Sequence, residues 1–215
     1  MTIAAIILAA GKSSRMGAFK PLLPWGKQTV IESCIHYLRA GGANQIVVVV
    51  GHRAHEIRQH LNSASVIFAV NPDPDSEMTE SIKQAVNQIP ENVDAALITP
   101  VDYPAVSSET VAQVIVEWSQ GNRLIKPTYQ QRGGHPVLID MSFRNDLLSL
   151  SPTLGLKSLF DAHRDEVKRV EVDCPYIARD IDTWDDYRAL YVEVFGAEPP
   201  GRSNVYSNEN PESLI

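Results

Sequence analysis

Four groups of residues in the 215-residue chain have the types and spacing to do chemistry. The first is the loop Gly11-Lys-Ser-Ser-Arg-Met-Gly17, with Lys20 just beyond it. Small residues let backbone N–H groups approach an anion closely, and Lys12, Arg15 and Lys20 bring neutralising charge, so the segment suits a phosphate cradle. It is not a P-loop, since no Gly-Lys-Ser/Thr opens a helix after four spacer residues, and it is not Gly-x-Gly-x-x-Gly. Taken alone it fits an ordinary strand-to-helix connection about as well. The second group is Pro100-Val-Asp-Tyr-Pro104, whose prolines stiffen the loop and fix where the Asp102 carboxylate points. Magnesium takes oxygen ligands, commonly one or two carboxylates with substrate phosphates, and Asp102 suits that role. A loop aspartate accepting backbone N–H bonds is the plain alternative. The third is Asp180-Ile-Asp-Thr183: in an extended segment Asp180 and Asp182 point the same way. The alternative is that Asp182 or Thr183 caps the following helix, with Asp185 and Asp186 adding favourable charge to its first turn. The fourth is Gly133-Gly-His-Pro136, where the glycines allow a ligand near the backbone and His135 either meets it or is a solvated turn residue. His36, His52, His55, His60 and His163 share no metal-site spacing. Cys34 and Cys174 make neither a metal-ligand spacing nor a disulfide framework, and Cys34 lies in an apolar helical pattern, as a core residue would.

A buried parallel sheet is the frame that would bring these groups together. Ile3 to Leu8 is an unbroken apolar run ending in small residues, as in a strand covered on both faces. Gln45–Gly51, with four consecutive valines, Val66–Val70 and Asp94–Thr99 read as further strands. Helical spacing over Thr29–Ala40, His52–Leu61, Glu77–Ile89 and Ser107–Ser119 alternates with them. This alternation predicts an α/β architecture with helices on both faces of a mostly parallel sheet. Such sheets bind ligands beyond the carboxyl ends of their strands, where the cradle, the acidic loop Asn71-Pro-Asp-Pro-Asp75 and the Asp102 loop would all lie. Arg123–Tyr129 and His135–Ile139 read as a hairpin joined through 130–134. Helical stretches follow over 142–149 and 154–164, then a late strand over Glu166–Asp173 and a helix from Trp184 to about Phe195. The hairpin and the late strand predict an appended antiparallel part, hence a mixed sheet. Residues 1–195 read as one domain and the polar, proline-containing 196–215 as a flexible tail.

Hydrophobic residues at 44% and charged residues at 21% are ordinary for a globular protein. A net charge of −7 argues against a general nucleic-acid binder. The apolar Met1–Ala10 lacks a basic flank and is too short to span a bilayer, so it reads as core rather than as a signal peptide. No membrane association and a cytoplasmic location are the resulting expectations.

Leu8-Ala-Ala-Gly11, Ser13, Arg15-Met-Gly17, Lys20 and Leu22-Leu-Pro24, with Pro-Val-Asp-x-Pro at 100–104, Gly-His-Pro at 134–136 and Asp-Ile-Asp-Thr-x-x-Asp-Tyr at 180–187, form an ordered set. The set resembles nucleotidyltransferases of the molybdenum cofactor cytidylyltransferase and guanylyltransferase type, the MobA-like NTP transferase family. More distantly it resembles sugar-phosphate nucleotidylyltransferases. The resemblance implies a Rossmann-like three-layer αβα nucleotidyltransferase fold, GT-A-like, with a mostly parallel mixed sheet. It implies Arg15, Lys20 and Asp102 as catalytic residues, and Leu8, Ala9, Ala10, Gly11, Ser13, Asn71 and Val101, with Arg15 and Lys20, around a nucleotide. It implies His135 on the acceptor side, and Mg²⁺ held by Asp102 and Asp182, with Asp180 in reserve. Leu-Ala-Ala-Gly and Pro-Val-Asp are closer to the cytidylyl version, which implies CTP as donor and molybdopterin as phosphorylated acceptor. A molybdoenzyme or its chaperone is the implied macromolecular partner. A sugar phosphate or phospholactate as acceptor, or a non-catalytic nucleotide-binding or chaperone-like protein, are the other readings. The chain departs from the family at Glu77-Met-Thr-Glu-Ser81, which adds two acids, and at Thr153-Leu-Gly-Leu-Lys157, where Asp-x-Gly-Ala-Arg is common. Two further expectations follow: without metal, Asp102 and Asp182 repel one another, and Lys20, on a loop, contributes nothing to folding.

Overall fold

β1 (Ile3–Leu8) is buried at all six positions, as a run with no polar side requires, and it lies at the centre of the sheet. The computed structural model describes residues 1–73 and 76–201. The end of the expected acidic loop, 74–75, and most of the expected tail, 202–215, lie outside the described residues. Along the chain follow β2 (Pro24–Trp25), β3 (Gln28–Thr29), α1 (Val30–Ala40), β4 (Gln45–Val50), α2 (Ala54–His60), β5 (Ile67–Val70), α3 (Met78–Gln88) and β6 (Ala95–Pro100). Then come α4 (Ser108–Ser119), β7 (Leu124–Tyr129), β8 (Arg132–Gly133), β9 (Val137–Asp140), α5 (Arg144–Leu148), α6 (Leu156–Ala162), β10 (Val167–Glu171) and α7 (Trp184–Phe195).

The main sheet runs β10-β7-β9-β6-β1-β4-β5, with β8 added to β7. β1 pairs in parallel with both β4 and β6, placing Ile7 beside Val48 on one side and Thr99 on the other. β9 enters antiparallel between β6 and β7. The late strand β10 is parallel to β7, so it is not part of an antiparallel addition, contrary to the expectation from its position after a hairpin. Reversal is confined to β9 and the short β8. Gln130 and Gln131, both at positive φ, make the two-residue turn from β7 into β8.

Alternation along β1 divides the core. Ile3, Ala5 and Ile7 pack with residues of α1, α4 and α7; Ala4, Ile6 and Leu8 pack with residues of α3, α5 and α6. This is the three-layer αβα arrangement. No helix among the described residues is long and apolar enough to cross a membrane.

Two connections give the fold its site. The β2–β3 ribbon is held against α7, where Trp25 meets Tyr191 and Phe195 edge-on and the Tyr187 hydroxyl donates to Pro24 O at 2.6 Å. After β10 the chain turns back along the sheet's edge through residues 174–182. His135 N donates to Ile177 O at 2.8 Å and Ile181 N to Asp102 O at 3.0 Å, fastening that return. Gly134 lies directly beneath it: a Cβ there would sit 2.1 Å from Ile177 O. Gly134→Ala therefore has to push the return segment off the sheet. A loss of about 1–3 kcal/mol is expected, which at roughly 2–4 °C per kcal/mol lowers Tm by several degrees. An unchanged melting curve would show the segment to be loosely held.

Candidate active site

A cavity of about 240 Å³ opens at the carboxyl edge of β1, β5 and β6. Leu8, Ala9, Ala10, Gly11, Ser13, Lys20, Asn71 and Val101 all line it, together with Ser76, Met78, Ser81 and Asp102. Ala9 and Ala10 follow β1, and Gly51 packs closely on Ala10: a Cβ on Gly51 would lie 3.0 Å from that of Ala10. The loop is closed by Ser13, at φ 53°, whose Oγ accepts from Lys20 N at 3.2 Å, and it is anchored by the fully buried Met16. Asn71 Nδ2 donates to Ser76 Oγ at 2.8 Å and Ser81 Oγ at 3.0 Å, and its Oδ1 accepts from Asp73 N. The Asn71 side chain thus builds the cavity wall. Arg15 does not line the cavity; its side chain is 75% exposed and reaches Asp182 instead.

Asp102, Asp180 and Asp182 each bring a carboxylate oxygen within 4.8 Å of the others. The Ile181 N–H bond to Asp102 O, with Ile181 itself fully buried, places the aspartates on either side of Ile181 beside Asp102. The helix cap is Thr183, in a capping box with Asp186, which leaves Asp182 free of that duty. The aspartates are not held apart. Lys20, 9% exposed, puts Nζ 2.7 Å from Asp182 Oδ1 and 3.3 Å from Asp102 Oδ2, and Arg15 Nη1 is 2.6 Å from Asp182 Oδ2. Attraction to the cations replaces the expected repulsion. The hydrogen bond from Lys20, with Arg15 adding to it, lowers the pKa of Asp182. Burial raises that of Asp102 against the pull of Lys20, and the Asp180 charge adds to the rise. Asp102 Oδ1 is buried with no hydrogen-bond partner. An all-oxygen cluster with one spare, desolvated carboxylate oxygen fits a hard divalent cation.

A second cavity, about 760 Å³, is lined by Tyr103, the residue after Asp102. Tyr103 and His135 form one wall, their rings 4.9 Å apart, and Lys126, Lys157, Arg164 and Arg169 surround it with Asp161 the one acid. Consecutive residues thus face different cavities: Asp102 the first, Tyr103 the second. Burial pushes the pKa of His135 down to about 4, its Nδ1 lies 3.4 Å from Ile98 O, and Lys126 lowers the value further. His135 is neutral near pH 7, so positive charge in this cavity comes from the lysines and arginines. Of these, Lys126, Arg164 and Arg169 were not singled out from the sequence, whereas Lys157 belongs to the 153–157 departure from the family pattern. Lys126, a cation inside the otherwise uncharged strand β7, was the available signal.

The chain belongs to the family described as the MobA-like NTP transferase domain, which matches residues 5–167. Molybdenum cofactor cytidylyltransferase of Escherichia coli (strain K12) is 28% identical over 196 residues, covering 88% of this chain and 97% of that one. Nicotine blue oxidoreductase of Paenarthrobacter nicotinovorans is 29% identical over 150 residues, covering 66% of this chain and 72% of that one. Among solved structures, Rv0371c of Mycobacterium tuberculosis H37Rv matches with a TM-score of 0.80 at 26% identity, covering 89% of this chain and 98% of that one. The same protein in complex with manganese matches with a TM-score of 0.76 at 25% identity, over the same shares of the two chains.

Two outcomes are expected of the site's charged groups. Lys20→Ala strands two carboxylates around a lost ammonium, so it should lower unfolding free energy by roughly 1.5–3 kcal/mol, contrary to the neutral effect expected of a loop residue. A variant as stable as the wild type in urea would place Lys20 in solvent. For His135 the folded pKa lies below the ordinary 6.5, so the unfolded chain takes up the extra proton first. Stability then falls as pH drops from 6.5 through about 4. His135→Asn keeps a donor for Ile98 O but has no titration, and should lose that part of the acid slope, about 1.4 kcal/mol per unit of pKa shift. Identical slopes would mean that His135 protonates freely in the fold.

Proposed function

We propose that the protein transfers CMP from CTP to a phosphorylated acceptor, with molybdopterin the leading acceptor, in an Mg²⁺-dependent reaction that releases pyrophosphate. The observation that carries this reading is that Asp102, in the carboxylate cluster, lines one cavity with Lys20 while the next residue, Tyr103, lines the other. An acceptor phosphate oxygen attacks the α-phosphorus of the nucleotide as the bond to pyrophosphate breaks. That oxygen is already anionic, so no strong base is needed, and catalysis is mostly positioning and neutralisation. Gly11, Ser13, Lys20 and Arg15 hold the triphosphate, and the two cations offset charge gathering on the leaving pyrophosphate. Asp102 and Asp182, with Asp180 beside them, would hold Mg²⁺, which supplies charge neutralisation at the phosphoryl oxygens. The basic lining of the second cavity suits an anionic acceptor, with the mutually tilted rings of Tyr103 and His135 offering aromatic contact. The narrow first cavity, and the similarity to a cytidylyltransferase over most of the chain, support a one-ring base.

A second acceptor reading rests on one observation. Leu156 and Lys157, which depart from the family's common Ala-Arg, line the second cavity. A smaller phosphorylated molecule, such as a sugar phosphate, would be the acceptor in that case.

Pyrophosphate release from CTP, GTP and ATP, each with molybdopterin or a panel of sugar phosphates, tests both readings. CTP with molybdopterin should give the highest kcat/KM. Asp102→Asn should reduce it at least a hundredfold, about 2.7 kcal/mol of lost transition-state stabilisation. Preference for a purine triphosphate would defeat the cytidylyl assignment, and turnover with sugar phosphates alone would select the second acceptor reading.

A further inference from the structure

We propose that Lys20 and Arg15 lock the carboxylate cluster in the nucleotide-free protein, so that a divalent cation settles there only as a triphosphate draws both side chains away. This rests on the reading of the cluster as a cation site. Lys20 Nζ lies between Asp182 Oδ1 and Asp102 Oδ2, and Arg15 Nη1 holds the remaining oxygen of Asp182. Both oxygens of Asp182 and one of Asp102 are therefore already engaged by positive charge. A divalent cation meets two like charges on its own ligands, and repulsion at such distances is strong where water is scarce. Asp102 Oδ1 is the buried oxygen of the cluster left without a partner, and Asp180 is exposed.

The two cations have another use within reach. Lys20 also lines the nucleotide-side cavity and follows just after the glycine- and serine-containing loop that carries Arg15. A triphosphate offers them several anionic oxygens in exchange for one or two carboxylates. Arg15, with its side chain 75% exposed, is free to swing, and Lys20 has only to turn its ammonium from one cavity wall to the other. Nucleotide and cation binding become one coupled event: whatever factor the nucleotide adds to cation affinity, the cation returns to the nucleotide. The cluster is thereby kept from scavenging divalent cations when no nucleotide is present.

The test uses Mn²⁺ alone, with free ion counted by electron paramagnetic resonance in nucleotide-free protein. Wild type should bind weakly. Lys20→Met and Arg15→Met should each tighten binding, Lys20→Met by at least tenfold, although both remove protein contacts. Arg15 is exposed, so its variant reports even if Lys20→Met folds poorly. Adding Asp102→Asn to Arg15→Met should abolish the gain. Equal Mn²⁺ affinity in wild type and both variants would overturn the lock while leaving the cation site standing. No Mn²⁺ bound by any of them, with or without CTP, would overturn the site and the lock together.

Discussion

The site depends on one constraint: β1 has no polar face. Six consecutive buried apolar residues can only be accommodated with a strand on each side and a layer of helices above and below. Central placement follows, and with it the position of everything attached to the ends of β1 and its neighbours. The glycine- and serine-containing loop leaves the carboxyl end of β1, the Asp102 loop leaves that of β6, and the Asn71 loop leaves that of β5. β9 runs the other way, so it is its amino end that reaches the same edge, bringing His135 there. A hydrophobic requirement at the middle of the sheet thus decides where its charges are gathered.

The second half of the site is assembled by backbone hydrogen bonds rather than by burial. Residues 174–182 cross the edge of the sheet and are tied at Ile177 and Ile181. The tie at Ile181 brings two aspartates beside a third that lies some eighty positions earlier. Like charges so close would push the crossing segment outward, yet Lys20 and Arg15 stand among them and turn the balance to attraction. α7 reinforces this from behind. Its aromatic residues grip the ribbon that follows Lys20, so the segment carrying the cation and the helix that follows the aspartates are fastened to each other.

Much of this was legible in the residues. The central strand, the alternation of strands and helices and the cradle loop follow from apolar runs and glycine placement, whereas the pairing of Asp102 with the Asp180–Asp182 segment comes from the family resemblance. Asp182 could not be separated from a capping role on spacing, because Thr183 stands next to it with Asp186 three residues on; the capping box settled that in favour of Thr183. Other features left no local mark. β2 and β3 are two residues each, too short to show a period. The turn at Gln130-Gln131 has both residues at positive φ without a glycine or asparagine to announce it. The direction of β10 is set by pairing with β7, a choice made by tertiary packing. The basic wall draws on Lys126, Lys157, Arg164 and Arg169, of which only Lys157 and Arg164 share a helical spacing while Lys126 and Arg169 lie on separate strands.

The neighbouring placement of Asp102 and Tyr103, one in each cavity, bears on what happens after bond formation. On the proposed reading, the product joins the two occupants into a single molecule that straddles this peptide bond. Such a molecule is bivalent: once one end is seated, the other binds at an effective concentration of about millimolar or above. It is retained more tightly than either fragment, and departure rather than bond making would limit the cycle. Handing the product to a recipient that grips one end first would relieve this, since release of a single foothold cancels the avidity of both.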